Sequence, residues 1–506
     1  MENYLSKHGY VIFKENITKD ELTQLKSTLM GKPLQDEKYL KSVNKFPLYI
    51  ESAKKIIIPK VYGITKYGVP PKETKDYIGK DFMEHVPFTG TLREHQKVPS
   101  EKLYNELVNG SSGGILSLST GLGKTFCVLG ILARLQKKTL VIVNKVSLLH
   151  QWISEIKLYL PTASIGIIQG QKTIDTEKDI VITTLQSLSK IDYPDYIFSD
   201  FGVTVTDECH NICSRIFVKA LMKVSSRYTI GLSATPTRSD GCEYIFKWFL
   251  GDIVYQSSSE RKGLIPILHT IQLDTSEYKE ITIQNKFSGM QTIQFTSMIS
   301  DLIKMEKRNN FIVDTIFSIV QEGRKLLVLS DRREHLKIIQ EIFISRNATF
   351  TFGLFMGQMK LEALEKSKKS QVILGTFQAF GEGVNEPDLD SLFMITPKKY
   401  IGHIKNSVKN ESGKLEQIVG RIFRKEHIDK PPIIIDLQDN FSVYKSQSKQ
   451  RLVFYKSHFK NLATRHTTID LDTGLQESKD TTKTRRTKKT LKSVDDLEGE
   501  FTKCVL

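Results

Sequence analysis

The sequence predicts an α/β fold: two parallel, doubly wound sheets in tandem, a small α+β module ahead of them and a disordered charged tail behind. Short apolar runs alternate with helix-forming stretches over residues 91–255, and the same alternation returns over 325–462. At 506 residues the chain is long enough for about three domains with cores of their own. Regular succession of β and α is what parallel sheets require, and such sheets bind ligands beyond the carboxyl ends of their strands.

Lysine and arginine number 73 against 57 acidic residues, a net charge of +16 that suits a polyanionic partner such as nucleic acid. The five cysteines are too few and too scattered for a disulfide framework, which fits a reducing compartment. No apolar run is long enough to span a bilayer, and Met1–Tyr10 lacks the basic-then-apolar order of a signal peptide. These features predict an intracellular, soluble monomer with no membrane partner.

In residues 1–90, Tyr10–Phe13 and Lys55–Ile58 read as strands and Thr18–Met30 as a helix capped by Thr18. Lys54, Lys55, Lys60 and Lys66 surround Tyr62 and Tyr67. That pattern fits either a surface that grips phosphates and stacks bases or a docking module with solvated lysines.

From 91 to 255, strands are predicted at 115–118, 140–143, 180–182, 203–205 and 228–231. The first leads into Ser119-Thr120-Gly121-Leu122-Gly123-Lys124-Thr125 and then an apolar helix. A polyphosphate needs several converging backbone N–H groups, and Gly121 and Gly123 allow the close curl that supplies them. Lys124 would reach the β- and γ-phosphates of ATP, and the Thr125 hydroxyl would hold Mg²⁺. Leu118 occupies the position where the full eight-residue P-loop pattern has its first glycine.

Asp207-Glu208-Cys209-His210 follows the 203–205 strand. Adjacent carboxylates at a strand end repel one another, so a cation is their natural companion. Asp207 is placed to hold Mg²⁺ through water, and Glu208 to orient or deprotonate the attacking water. Cys209, His210 and Cys213 are too bunched, with no second pair, for a zinc site. Ser233-Ala234-Thr235-Pro236 follows the next strand, where small hydroxyl residues can join the acids to a bound nucleic-acid strand.

Residues 256–324 read as a linker that becomes helical around Ser297–Val320. The second α/β unit, 325–462, has strands at 325–329, 372–374, 392–395 and 433–435. It carries Gly375-Thr376-Phe377-Gln378 leading to Glu382 and Gly383, and a predicted helix whose Gln417, Arg421 and Arg424 share one face. Arg421 and Arg424 are candidate arginine fingers for charge developing at a γ-phosphate. Residues 463–506 are rich in Thr, Asp and Lys and predict disorder, with Lys483–Lys489 as a nucleic-acid tether, a nuclear-localisation-like patch or simply a solvated run.

Taken in order, STGLGKT, Asn144–Trp152, Thr183–Leu188, DECH, SATPTR, LSDR, GTFQAFGEGVN and QIVGRIFR resemble the motifs of a superfamily 2 DExH-box helicase over about residues 91–430. Leu92-Arg93-Glu94-His95-Gln96 and GLSATPTRSDG are similar to the XPB and UvsW branch, with His95 where an aromatic ring is usual. LEQIVGRIFRKEH and the Lys- and Ile-rich composition resemble helicases of large DNA viruses of the poxvirus transcript-release type.

The resemblance implies two RecA-like domains that use ATP and Mg²⁺ and bind a nucleic-acid strand. It assigns adenine to Arg93 and Gln96; phosphate to Thr120, Gly121, Gly123 and Lys124; metal to Thr125 and Asp207; and water to Glu208. Gln417, Arg421 and Arg424 complete the ATP site and Gly383 senses the nucleotide. Thr184, Ser233, Thr235, Arg332 and Thr376 contact nucleic acid, with DNA favoured over RNA or a hybrid. A transcription-complex protein is a further expected partner, and a viral member would work in the host cytoplasm and the virion. The resulting expectation is an ATP-dependent helicase or translocase; the alternative is an ATP-clamped remodelling subunit that binds without processive unwinding. A nuclease-bearing restriction motor is disfavoured, because no acid–lysine nuclease cluster is evident.

Overall fold

The computed structural model describes residues 2–31, 45–119, 121–212, 215–234, 241–257, 264–284, 291–380, 386–398, 415, 418–423, 425, 427, 429–459, 461–480 and 487–489. The chain forms two compact units, the first comprising Met1–Ser258 and the second beginning at Ser259. Among the described residues no helix is long and apolar enough to cross a membrane.

The first unit opens with a five-stranded sheet in the order Ile50–Glu51, Lys55–Ile58, Gly9–Phe13, Tyr4–Ser6, Lys72–Glu73. Its helix Lys19–Thr28 starts at Thr18, whose hydroxyl accepts the Glu21 N–H at 3.1 Å, as the sequence predicted. The expected boundary at residue 90 does not separate two bodies. One continuous core joins Leu5, Tyr10 and Ile12 of the module to Ile115, Leu140 and Phe198 of the larger sheet. Lys60 is fully buried and its ammonium donates to the carbonyls of Ser112, Ser226 and Arg227 at 3.0, 3.2 and 3.0 Å, clamping the module to that sheet.

The two tyrosines singled out in this module, Tyr62 and Tyr67, are half-buried. Tyr62 packs edge-on against Trp248 at 4.9 Å and Tyr67 lies 6.0 Å from Tyr10. Both rings serve the packing between elements, because a ring covers far more apolar area there than in solvent.

The larger sheet of this unit has eight strands in the order Thr173–Ile174, Ile165–Gln169, Ile180–Thr184, Thr139–Val143, Val203–Thr206, Tyr228–Ser233, Gly113–Ser117, Ile253–Gln256. All neighbours are parallel except the short Thr173–Ile174 strand. The central strands are buried throughout, which is why they read as unbroken apolar runs. Ile165–Gln169 alternates half-buried with buried residues and contains Gly166, a weaker signal that the sequence reading passed over.

The second unit holds a nine-stranded sheet in the order Phe352–Phe355, Val372–Thr376, Leu326–Ser330, Ser391–Met394, Ile433–Asp439, Ile267–Asp274, Ala463–Asp470, Gln476–Asp480, Thr487–Lys489. It is parallel as far as Ala463–Asp470 and antiparallel beyond. Two sequence-based ranges are corrected here. Ile267–Asp274, placed in the linker, is an inner strand, and the helical stretch after it divides into Phe295–Leu302 and Glu306–Gln321. Ala463–Asp470, placed in the tail, pairs along its whole length with Ile267–Asp274. Composition counts side chains, whereas this Thr-rich strand is held by its backbone ladder. Residues 481–486 and 490–506 of the predicted tail lie outside the described residues.

Candidate nucleotide-hydrolysis site

The Gly113–Ser117 strand delivers the chain to the loop that precedes the Lys124–Leu135 helix. Gly121 and Gly123 have φ of +91° and +81°, the left-handed region that only glycine enters cheaply. A Cβ on Gly123 would stand 2.3 Å from Gln96 Nε2, so the loop is drawn tight against the preceding helix. The helix buries Cys127, Val128, Leu129, Ile131 and Leu132, which anchors its N-terminus and leaves Lys124 and Thr125 half-buried at the start. Lys124 Nζ donates to the Leu118 carbonyl at 3.0 Å, while the Leu118 side chain is buried in the core. The departure from the glycine pattern at Leu118 is thus absorbed by packing. Thr120 lies outside the described residues.

Gln96, expected at adenine, is bonded to this loop. Its Oε1 accepts the Arg93 N–H at 2.9 Å, and its Nε2 donates to the Leu122 carbonyl at 3.1 Å. Both ends of the amide therefore hold the protein's own backbone. They fix the start of the Glu94–Asn109 helix and the crest of the loop.

Asp207 follows the Val203–Thr206 strand at its carboxyl end and is buried. One carboxylate oxygen accepts the Trp152 indole N–H at 3.0 Å and the other accepts the Glu208 N–H at 2.9 Å. Burial, and then the neighbouring Glu208 charge, push its carboxyl up to about 6, against the pull of the indole and of Lys124. Glu208 has φ of +48°, a turn that the bond from its N–H to Asp207 closes. A strand-end acid held above its ordinary range by burial and repulsion is a group for which a divalent cation restores balance. Mg²⁺ characteristically takes one or two carboxylates and completes its shell with phosphate oxygens and water, so Thr125 and Asp207 fit it.

His210 connects these acids to the next strand. Its Nδ1 lies 3.0 Å from the Ser233 hydroxyl and 3.4 Å from Glu208 Oε2. Ser233 is fully buried at the end of the Tyr228–Ser233 strand, and its hydroxyl meets the acidic cluster through His210. Its hydroxyl faces the histidine because this strand lies directly beside Val203–Thr206. Thr235 lies outside the described residues, as does Cys213 of the cysteine–histidine cluster.

Thr184 and Thr376 occupy like positions in the two units. Thr184 ends the Ile180–Thr184 strand and accepts the Ser187 N–H at 3.3 Å, starting the Leu185–Lys190 helix. Thr376 ends Val372–Thr376 and accepts the Ala379 N–H at 3.2 Å, starting Phe377–Phe380. Both are buried, and their hydroxyls shape the turns that follow the strands. Arg332 donates through Nη2 to the Thr296 carbonyl at 3.2 Å.

Arg421 is buried on a 3₁₀ turn, Gly420–Phe423. Of the predicted face at i, i+4 and i+7, the described residues include Arg421, which lies on a tighter turn than an α-helix makes. Packing of Phe423 against Phe459 at 5.5 Å and a 2.8 Å bond between His427 Nε2 and the Ile422 carbonyl stabilise that turn. Gln417, Arg424, Glu382 and Gly383 lie outside the described residues.

The sequence placed Trp152 only within the Asn144–Trp152 motif and gave no sign of its contact with Asp207. It is buried, and its indole supports Asp207 from 55 positions away in the chain. Gln186 likewise donates to the Asn144 carbonyl at 2.8 Å, tying two predicted motifs together.

Known proteins bear on this arrangement in three ways. A family model described as "Type III restriction enzyme, res subunit" matches residues 89–238. A protein of Acanthamoeba polyphaga mimivirus, provisionally named as an ATP-dependent RNA helicase, is 32% identical over 467 residues, covering 90% of this chain and 86% of that protein. One from African swine fever virus with the same provisional name is 28% identical over 391 residues, covering 72% of each. In fold alone, a fragment provisionally assigned to the HsdR subunit of a type I restriction enzyme from Vibrio vulnificus superposes with a TM-score of 0.50 at 16% identity, covering 76% of this chain and 70% of that one. A P-loop, a strand-end acid pair and this extent of shared sequence lead to one conclusion: the chain belongs to the superfamily 2 DExH-box helicases, among the ATP-hydrolysing helicases of viruses.

Proposed function

We propose that the protein is a motor that couples ATP hydrolysis to movement along, or unwinding of, nucleic acid during viral transcription or DNA processing. The observation that carries this reading is the contact chain Glu208–His210–Ser233, which starts at the hydrolytic acid and ends on the next strand's terminus. A static nucleotide clamp has no need of such a connection. A motor does, because phosphate release must be felt elsewhere in the molecule.

In this proposal the N–H groups around Gly121 and Gly123 cradle the phosphates, and Lys124 leaves the Leu118 carbonyl to meet them. Thr125 and Asp207 hold Mg²⁺, which when bound neutralises charge on the phosphate oxygens. Glu208 orients the attacking water and takes its proton. Gln417, Arg421 and Arg424 are assigned to charge developing on the terminal phosphate. Arg93 is assigned to adenine, with Gln96 positioning the loop, and Gly383 to sensing the nucleotide. Thr184, Thr235, Arg332 and Thr376 lie in segments assigned to the nucleic-acid backbone.

The XPB and UvsW resemblance favours DNA, whereas two viral relatives carry RNA helicase names. ATPase stimulation by single-stranded DNA, duplex DNA and RNA, measured in parallel with strand displacement, decides among them. The expected result is stimulation by at least one strand, displacement of a duplex, and loss of both in Lys124→Ala. Hydrolysis with no displacement or translocation on any substrate would overturn the motor reading in favour of an ATP-gated clamp.

A further inference from the structure

The outermost strand of the first large sheet, Ile253–Gln256, lies beside the strand that feeds the P-loop. Its pairing runs Ile253 to Ile115, then Tyr255 to Leu116 and Gln256 to Ser117, with one extra residue between. A bulge of this kind moves the register by one and turns the following side chains to the opposite face. Ser257 comes next. Its N–H donates to the Ser117 carbonyl at 2.8 Å, continuing the ladder. Its hydroxyl accepts the Ser119 N–H at 3.0 Å and lies 3.3 Å from the Ser119 hydroxyl. One residue later, at Ser258, the first unit ends and the chain passes to the second.

The entrance of the P-loop is therefore held by two ties on adjacent residues: Lys124 on the Leu118 carbonyl and Ser257 on Ser119. The first must break when Lys124 turns to phosphates, which frees the Leu118–Ser119 peptide to rotate. The Leu118 side chain is fixed in the core, so the rotation is felt at Ser119. Both polar groups of Ser119 that bond there end on Ser257, and an edge strand paired on one side is the part of a sheet that yields most readily.

We propose that Ser257 is a positioning residue that passes the state of the P-loop to the chain leaving the first unit. This rests on the nucleotide-site reading and adds to it a route by which bound nucleotide reaches the second unit through the covalent chain. A serine is suited to the task because its one hydroxyl accepts the loop N–H and can donate to a neighbouring oxygen.

The test is amide hydrogen exchange across residues 250–258 of the full chain, with and without a non-hydrolysable ATP analogue, in wild type, Ser257→Ala and Ser257→Thr. Analogue affinity is titrated on the same samples. In wild type, nucleotide is expected to change exchange in this peptide. In Ser257→Ala, analogue affinity should fall by no more than about tenfold, the worth of one neutral hydrogen bond, while the exchange response disappears. Nucleic-acid stimulation of the ATPase should drop with it, and Ser257→Thr should restore both. A wild-type response that persists in Ser257→Ala, or analogue binding with no exchange change in wild type, would overturn the proposal. No analogue binding in any variant, wild type included, would instead sink the nucleotide-site reading.

Discussion

Each unit places two carboxylates on a parallel strand or just beyond its carboxyl end, and they meet opposite fates. In the second unit Asp436 and Asp439 lie on Ile433–Asp439, both buried. Arg451 grips Asp436 through Nε and Nη2 at 2.8–3.0 Å, and Arg308 grips Asp439 through Nε and Nη2 at 2.7 and 2.9 Å. Each arginine also reaches a carbonyl, Lys398 for one and Ile395 for the other, so the pairs fasten neighbouring chain segments together. In the first unit Asp207 receives an indole and an amide, neither of them charged, and the like charge of Glu208 acts on it more strongly than the opposite charge of Lys124. Internal guanidinium groups make the first pair of acids part of the scaffold. Uncharged donors orient Asp207 while leaving its negative charge for a cation from solution.

Removing a partner from each pair should separate the two roles. The largest effect is expected for Glu208→Gln, which keeps the shape but loses the base: hydrolysis should fall about 10²- to 10⁴-fold with nucleotide affinity retained. Steady-state ATPase beside equilibrium analogue binding measures this, and a rate within a factor of a few of wild type would return Glu208 to a structural role. Arg308→Met should cost about 3–5 kcal/mol by leaving Asp439 and the Tyr278 hydroxyl bonded to it without their cation. Its signature is an earlier denaturant midpoint for the second unit, with little change in analogue affinity at a temperature where the chain is folded. Lys60→Met removes the three-carbonyl clamp of the first unit and should cost about 2–3 kcal/mol, since the buried carbonyl of Ser226 and the partly buried one of Arg227 lose a donor. Equilibrium unfolding tests whether the module and the sheet then separate into two transitions.

What could be read in the sequence follows from how local each signal is. The P-loop and the Asp207–Glu208 pair lie within a few residues of the strands that precede them, so the local pattern pointed to both. The central strands of both sheets are buried on two faces and announce themselves as apolar runs. Ala463–Asp470 did not, because its place is fixed by the ladder to Ile267–Asp274 rather than by apolar side chains. The contacts of Trp152, Gln96 and Ser257 are not legible in the sequence for a related reason. Their partners lie 55, 26 and 138 positions away, and nothing nearby in the chain marks the contact. Of the arginine face at 417–424 only Arg421 lies among the described residues, on a turn that begins at Gly420.

The smallest effect is also the one that bears most directly on the comparison. Asp207 has a folded-state pKa of about 6, above its ordinary 3.8, so its contribution to stability is fully present below about 4 and is lost as pH rises through about 6. Asp207→Asn cannot ionise and escapes that loss, although its amide satisfies only one of the two donors that the carboxylate accepts. The variant should therefore match or fall slightly below wild type at pH 4 and gain about 1–2 kcal/mol on it above pH 6, while hydrolysing no ATP. Mg²⁺ should narrow the gap by stabilising the wild type alone, since only the carboxylate binds it. Thermal unfolding of both proteins across pH 4–8, with and without Mg²⁺, measures the whole set. A variant less stable than wild type at pH 7 without Mg²⁺ would mean that Asp207 is already neutralised from within, as Asp436 and Asp439 are, and the contrast between the two units would vanish.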